Sequence, residues 1–501
     1  MGNRKTSMNP NDLVKFLQKN PEHFTADDLI RFCKEKGIEL VNFRYVAEDG
    51  RLKTLNFFIT SEHYLRTVLT HGERVDGSSL FSFIESGNSD LYVIPRYRTA
   101  FINPFSEIPA LDIFCSFYNN EGEPLESDPG YILRKADKLF TKETGYTFKA
   151  MGELEYYVIG AKEDLFPNVD QKGYHACEPF SKYEFIRIEA LQMLAKAGCS
   201  IKYGHSEVGC FTDDKNYYEQ HEIEFLPTQV ENAAEQLILA KWIVRMLGYK
   251  YGVDVSFAPK IVVGKAGSGM HFHMLVEKDG LNCTSVNGKL SDMSRKMIAG
   301  ILTSADAITA FGNTIPTSYL RLVPKQEAPT NICWGDRNRS VVVRVPMGWT
   351  SAENMILNAN PHDTASALKG ISKQTFEYRV SDGSADIYLT LAALVIASLS
   401  GIKDDNALQI AEKLYTNVNI FKPENKARLA ELEQLPLSCW ESAEALERKR
   451  DVFEANHIFP SGLIENYVKK LKSYEDKGLS EKLVGQTDKI KELVEHYFHV
   501  G

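Results

Sequence analysis

The chain has 501 residues, 43% of them hydrophobic, with 58 lysines and arginines against 67 acidic residues and a formal net charge of −9. That length can fill the cores of two or more ordinary domains. The acidic balance disfavours nucleic acid as a partner, since basic residues occur only in short runs such as Arg448 to Arg450.

The first residues, MGNRKTSMNPNDL, lack the apolar core of a secretory signal, and the eight cysteines show no CxxC spacing. Both features lead to the expectation of a reduced, cytoplasmic protein whose cysteines are structural. An amphipathic helix is predicted over Ala26 to Lys36, followed by strand-like pieces VNFRYV and RLKTLNFFI on either side of the turn signal Glu48-Asp49-Gly50. This pattern reads as a small α/β domain over residues 1–120, ended by the polar linker NNEGEPLESDPG. Residues 121–501 form a larger domain in which strands alternate with helical segments, among them Tyr183 to Ala197 and Glu231 to Gly248. The longest apolar stretch, Tyr388 to Ile402, is interrupted by Thr390, Ser398 and Ser400 and falls short of a membrane span, so it reads as a buried helix. From Asp404 onward charge-rich helices predominate, with breaks at Pro423, Pro436, Pro460 and Gly478.

Within the larger domain, five strand-like pieces carry ionisable residues two apart: Glu153/Glu155, His205/Glu207, Glu222/Glu224, His271/His273 and Glu377/Arg379. Residues i and i+2 of a strand share a face, so each pair projects to one side of a sheet. Two carboxylates about 6 Å apart at an effective dielectric of ~20 repel by roughly 2–3 kcal/mol, a cost that a divalent cation reverses. A single pair is as readily a solvated strand face. Five pairs, each flanked by apolar residues, point instead to a shared metal-lined cavity.

The glycine-rich segment GKAGSGMHFH, Gly264 to His273, lacks the GxxxxGK[ST] spacing of a P-loop and requires only that backbone approach a ligand closely. Downstream, Ser318 to Pro346 carries Arg321, Glu327, Arg337, Arg339 and Arg344. Arginines offer rigid bidentate donors to carboxylate and phosphate oxygens, although Arg337 reads as a surface charge. Arginines beside carboxylates suit a site that holds metal ions and a polyphosphate together, which directs attention to ATP.

These segments carry a resemblance. VDGSSL (Val75 to Leu80), GELEYY, HSEVG, QHEIEF, FAPK followed by GSGMHFH, LVPKQEAP, NRSVVVRVP and EYRVSDGSADIYL resemble the signatures of type I glutamine synthetases, in their usual order and over nearly the whole chain. The resemblance implies an α+β fold: an N-terminal β-grasp domain, then a catalytic domain whose curved antiparallel sheet is flanked by helices, with a helical C-terminal region. It implies homo-oligomers built as stacked rings, dodecamers in the type I pattern, with active sites between subunits.

Carried over by motif, the resemblance makes Glu155, Glu207 and Glu222 ligands of one divalent cation and Glu153, His271 and Glu377 ligands of another. Two or more Mg²⁺ or Mn²⁺ ions are therefore expected as cofactors alongside ATP. Glu224 and His205 read as supporting groups. Arg321 and Arg379 would hold glutamate beside the Gly267 backbone, Arg339 and Arg344 would stabilise the migrating phosphoryl group, and His273 would lie near the nucleotide phosphates. Asp76 and Glu327 would bind ammonium and accept its proton, Asp76 reaching the site of an adjacent subunit. The implied reaction is ATP-dependent ligation of glutamate and ammonia through γ-glutamyl phosphate.

Several positions depart from the family pattern. The usual Asn of the glycine loop is Ala266, a Ser two residues after His273 is Leu275, and basic residues before Glu377 are replaced by Ser372 and Thr375, leaving Lys373. Insertions fall near residues 208–218 and 348–368, the first reading as a lengthened loop, and Asp386-Ile387-Tyr388 replaces Asn-Pro-Tyr. The position of regulatory adenylylation in some relatives falls near Phe421, so that control is not expected. Two alternatives follow: γ-glutamylation of a polyamine or other amine, and a catalytically silent relative acting as sensor or assembly partner.

Overall fold

The computed structural model describes residues 8–84, 89–324, 328–348, 352–362 and 373–501. Five N-terminal strands, β1 (Leu40–Val46), β2 (Leu52–Phe58), β3 (Glu73–Asp76), β4 (Asp90–Pro95) and β5 (Ala110–Tyr118), lie in the order β2-β1-β5-β4-β3. The β1–β5 pair is parallel and the other neighbours are antiparallel. The helix read from the sequence spans Ala26–Lys36, opened by a Thr25/Asp28 capping box and closed by left-handed Gly37. With helix Glu62–His71 it contributes Leu29, Phe32, Leu65 and Val68 to a core shared with Val41, Phe43, Val93, Leu111 and Ile113. This is the N-terminal β-grasp domain, and β3 is its edge strand.

A second, larger sheet follows, built on β6 (Thr147–Ala161), β7 (Ile201–Thr212), β8 (Asn216–Phe225), β9 (Met270–Lys278), β10 (Trp334–Asp336), β11 (Val343–Val345) and β12 (Phe376–Tyr378). Its order is β10-β11-β12-β9-β6-β8-β7, antiparallel throughout this path except for the parallel β10–β11 pair. Along β6 the alternation is plain: Leu154, Tyr156 and Val158 are buried in the main core, and Glu153 and Glu155 point to the other face. The core side is covered by helices Pro129–Thr144, Val230–Tyr251 and Ile387–Lys403. Helix Ile387–Lys403 accounts for the apolar stretch and is almost wholly buried. Among the described residues no single helix is long and apolar enough to cross a membrane.

The two domains are joined by ionic contacts. Arg96 and Arg98, just beyond β4, reach Glu231 on helix Val230–Tyr251 at 2.6 and 2.7 Å, and Arg134 adds a third contact to the same carboxylate at 2.6 Å. Glu235, one turn on, also pairs with both Arg96 and Arg98. Three guanidiniums around two nearly buried carboxylates fix how the β-grasp domain sits on the catalytic helix layer.

The stretch near 208–218 is mostly not a loop. Its residues lengthen β7 and β8 into a hairpin closed by a tight turn at 213–215, where the Asp213 carboxylate accepts from the Lys215 and Asn216 amides at 2.8 and 2.6 Å. Tyr217, Phe211 and Tyr218 carry the alternation that permits this. Part of the second insertion forms helix Ala352–Ala359, and residues 363–372, Ser372 included, lie outside the described residues. In the C-terminal region Pro423 opens a short 3-10 turn, Pro460 caps helix Ser461–Lys472, and Gly478 takes a left-handed conformation before Leu479–Lys482.

Gly152 shows how closely the helix layer approaches β6: a Cβ there would lie 2.5 Å from Leu237 Cδ1 and 2.8 Å from its Cγ. Gly152→Val is expected to destabilise the fold by about 1–3 kcal/mol through overpacking. Thermal unfolding of Gly152→Val and of the double variant with Leu237→Ala checks this: the second change should recover part of the loss, and strict additivity would contradict the proposed clash.

Candidate active site

All five paired-charge segments fall on neighbouring strands of the larger sheet, in the order β12, β9, β6, β8, β7. Register sets their rungs. Glu377 lies opposite His273, His271 opposite Glu153, Glu153 opposite Glu224, Glu155 opposite Glu222, and Glu222 opposite His205. Directly opposed residues of an antiparallel pair stand about 4.5–5.5 Å apart at Cβ, so the ladder concentrates these groups on one face. Arg379 follows just beyond β12, and Glu207 sits where the β7–β8 register shifts between Ser206 and Cys210.

One half of the face centres on Glu153 and Glu377. His271 Nδ1 lies 3.1 Å from Glu153 and 3.6 Å from Glu377, and His273 Nε2 lies 2.7 Å from the other Glu153 oxygen. Donor atoms of Glu153, His273 and Glu377 all fall within 4.8 Å of one another. Arg344 donates to Glu377 Oε2 at 3.0 Å and Arg379 donates to Oε1. The other half centres on Glu222, whose carboxylate approaches His205 Nε2 at 3.6 Å and whose donors group with those of His205 and Glu224. Glu224 is held by Lys202 at 2.5 Å and by the Tyr203 hydroxyl.

The electrostatics follow from this crowding. Burial, and then Glu153, Glu155, Glu207 and Glu224, push the Glu222 carboxyl well above the ordinary carboxylate range. Burial also opposes ionisation of Glu153, but His273 and His271 outweigh it and hold that carboxyl low. Burial and Arg379 keep His271 below the usual imidazole range, whereas Glu153 overcomes burial and raises His273. Such a buried set, rich in carboxylate oxygens with imidazoles in the minority, fits a hard divalent cation of the Mg²⁺ or Mn²⁺ type.

Beside this cluster is a small pocket lined by Glu155, Glu207, Gln220, Lys260, Ala266, Gly267, His271, Arg321, Ala328 and Arg379. Glycine is required around its floor. A Cβ on Gly267 would lie 2.6 Å from the Pro259 carbonyl, and one on Gly269 would lie 2.5 Å from His271 Nε2 and 2.6 Å from Arg321 Nη2. Arg321 is anchored by the Val380 carbonyl at 2.8 Å and reaches His271 Nε2 at 3.3 Å. Glu155 accepts from the Gly269 amide at 2.7 Å, and Glu207 accepts from the Val208 amide at 2.6 Å.

The structure therefore brings Glu153, Glu155, Glu207, Glu222, His271, His273, Glu377, Gly267, Arg321, Arg344 and Arg379 into one region. Arg339 is exposed on the turn before β11, and exposed Arg337 takes a left-handed φ of 56° there. Asp76 stands apart at the end of edge strand β3, exposed, its carboxylate accepting from Ser78 and Ser79 hydroxyls at 2.8 and 2.7 Å. Those serines hold it ionised, with its pKa lowered to about 2. Glu327 lies outside the described residues.

Sequence reasoning missed three participants. Gln220 donates to Glu155 at 3.2 Å and to the Gly267 carbonyl at 3.0 Å, and it accepts from the Gly209 amide. It is two residues before Glu222, so the same period of two could have found it. Thr375, noted as a lost basic residue, pairs its hydroxyl with His273 Nδ1 at 2.9 Å and fixes that ring. Lys260 is buried, donates to the Lys265 carbonyl at 2.7 Å, and lies on a loop with no periodic signal. The loss of Asn at Ala266 leaves a backbone still clamped on both sides, by Gln171 at 2.8 Å and by the Tyr157 hydroxyl at 2.9 Å.

Comparison with known proteins agrees with this architecture. Residues 37–120 match the family described as glutamine synthetase, beta-Grasp domain, and residues 126–484 match glutamine synthetase, catalytic domain. Glutamine synthetase of Thermotoga maritima is 30% identical over 445 residues, spanning 87% of this chain and 93% of that one. The glutamine synthetase of Nostoc sp. is 28% identical over 479 residues, spanning 89% and 94%. Among solved structures, Plasmodium falciparum glutamine synthetase superposes with a TM-score of 0.73 at 20% identity, over 92% of this chain and 97% of that one. A ligand-free GmaS gives 0.71 at 18% identity, over 90% and 96%. These two likenesses speak to the fold. Together with the matched domains and the curated relatives, they show that the chain belongs to the glutamine synthetase family of ligases.

Proposed function

We propose that this ligase joins ammonia to the side-chain carboxylate of glutamate at the expense of ATP, forming glutamine. The observation that carries the reading is the adjacency of a buried carboxylate–imidazole face to a pocket lined by three cations, Lys260, Arg321 and Arg379. Those cations suit the carboxylates of an amino-acid substrate, and the Gly267 backbone lets the substrate approach the loop closely. A carboxylate is a poor electrophile. Transfer of the γ-phosphoryl group forms a bond from a glutamate side-chain oxygen to phosphorus, breaks the β,γ oxygen–phosphorus bond, and releases ADP.

Glu155, Glu207 and Glu222, and separately Glu153, His271 and Glu377, are the groups that would hold divalent cations. When bound, such ions supply charge neutralisation at the phosphate oxygens. Arg344, already directed at Glu377, and Arg339 would bear on the migrating phosphoryl group. Ammonium lacks a lone pair, so Asp76 and Glu327 would bind it and take up its proton before nitrogen attacks the acyl carbon and phosphate departs. Asp76 is ionised but does not line its own chain's pocket, which favours delivery to the site of a neighbouring copy in a homo-oligomer.

The nucleophile is tested by supplying ATP, glutamate and Mg²⁺ or Mn²⁺ with a panel of amines. Glutamine formation and phosphate release are expected with ammonium. Release with putrescine or a monoamine and none with ammonium would replace ammonia by a larger amine, the alternative raised by the insertions near residues 208–218 and 348–368.

Asp76→Asn should lower kcat by about 10²–10⁴-fold with ATP binding intact, as expected for loss of a proton acceptor. Coexpression with Glu377→Gln, itself inactive, should restore part of the activity in mixed oligomers. Failure of the mixture to exceed either parent would place Asp76 in its own chain's site.

Lys260 yields a pH prediction. Burial, then Arg321, lowers its pKa to about 8; Glu155, Glu207, His271 and Arg379 also face the pocket. The ammonium is charged below that value and neutral above it, so the KM for glutamate should rise as pH passes 8. Lys260→Arg, charged throughout, should flatten this rise. An unchanged profile would remove Lys260 from glutamate binding.

A further inference from the structure

One side-chain amide ties the glycine loop to the carboxylate face. Gln220, on β8 and 2% exposed, spends both of its amide hydrogens: Nε2 donates to the Gly267 carbonyl at 3.0 Å and to Glu155 Oε2 at 3.2 Å. Its Oε1 accepts from the Gly209 amide at 3.0 Å. Gly209 lies two residues beyond Glu207, inside the register shift between Ser206 and Cys210. Backbone and side chain come so close there that a Cβ on Gly209 would stand 2.6 Å from Gln220 Oε1. The amide thus meets the loop on one side and, on the other, both Glu155 and the segment that carries Glu207.

Other contacts hold the same loop in a different way. Tyr157 donates to the Ala266 carbonyl at 2.9 Å, and Gln171 Oε1 accepts from the Ala266 amide at 2.8 Å, neither residue hydrogen bonding to a carboxylate of the face. Glu155 Oε2, the oxygen that Gln220 reaches, also accepts from the Gly269 amide at 2.7 Å. Three of the six residues from Gly264 to Gly269 are glycine, so ordering this segment costs much backbone entropy. A ligand that fixes Glu155 and Glu207 also fixes the donors that Gln220 presents to Gly267. A second ligand, at the loop, then meets backbone already ordered, and such linkage acts equally in both directions.

We propose that Gln220 is a positioning residue through which a divalent cation at Glu155 and Glu207 and the amino-acid substrate at the glycine loop strengthen each other's binding. The proposal rests on the reading of the pocket as the glutamate site.

The test is the dissociation constant of glutamate, read by calorimetry on metal-free full-length protein and on the same protein saturated with Mn²⁺. In the wild-type protein the ion should tighten glutamate binding at least about fivefold. Gln220→Met, unbranched and of similar length, should reduce that factor to about twofold or less, and Gln220→Asn, whose amide is one methylene short of its partners, should do the same. Gln171→Met should weaken glutamate binding by a common factor with and without the ion, leaving the tightening intact. Equal tightening in wild-type and Gln220→Met proteins, equal loss of it in Gln220→Met and Gln171→Met, or no tightening in the wild type would overturn the proposal and leave the assignment of the pocket to glutamate standing. Failure of the wild-type protein to bind glutamate in either state would overturn that assignment, and the proposal with it.

Discussion

Like charges gathered on one face of a sheet, with a tightly packed apolar layer behind them, are the constraint on which this structure depends. Glu153, Glu155, Glu222, Glu224 and Glu377 lie on adjacent strands because the opposite faces of those strands are committed to the core through Leu154, Tyr156, Ile223 and Tyr378. A strand cannot turn its carboxylates toward water without turning its core residues outward too, since a slip of one residue exchanges the faces. Packing thereby enforces a repulsion that electrostatics alone would disperse. The upward push on Glu222 is its direct consequence.

The surrounding groups answer that repulsion in different ways. Imidazoles stand between carboxylates at His271 and His273, and guanidiniums approach from Arg344 and Arg379. Lys202 and Tyr203 tie back Glu224, while backbone amides hold Glu155 and Glu207. Buried charge networks of this kind add little net stability compared with an apolar core, so their presence is better explained by ligand chemistry than by folding. Glu231 and Glu235, gripped by Arg96, Arg98 and Arg134, form a second buried network whose effect is mechanical: it seats the β-grasp domain, and with it the edge strand that carries Asp76.

Much of this was legible in the sequence because period-two spacing reports directly on the faces of a strand. It revealed the five pairs and could have revealed Gln220. It could not resolve how the pairs group, because His271 and His273 share a face and only the register with β6 and β12 decides which carboxylates each one meets. Nor could it show that residues near 208–218 extend a hairpin, since a polar Asp-Asp-Lys turn flanked by aromatic residues reads locally as an inserted loop. Lys260 was hidden for another reason. Its significance comes from burial against residues remote in the chain, a tertiary property that no local pattern carries.

The crowded face, on the reading proposed above, is a binding site for a cation pair and not a structural oddity. Titration of metal-free protein with Mn²⁺, following the free ion by electron paramagnetic resonance, tests it without reference to turnover. At least two ions bound per chain are expected, with loss of binding in both Glu153→Gln and Glu222→Gln variants that remain folded. Absence of stoichiometric binding by the wild-type protein, or binding indifferent to both substitutions, would contradict it.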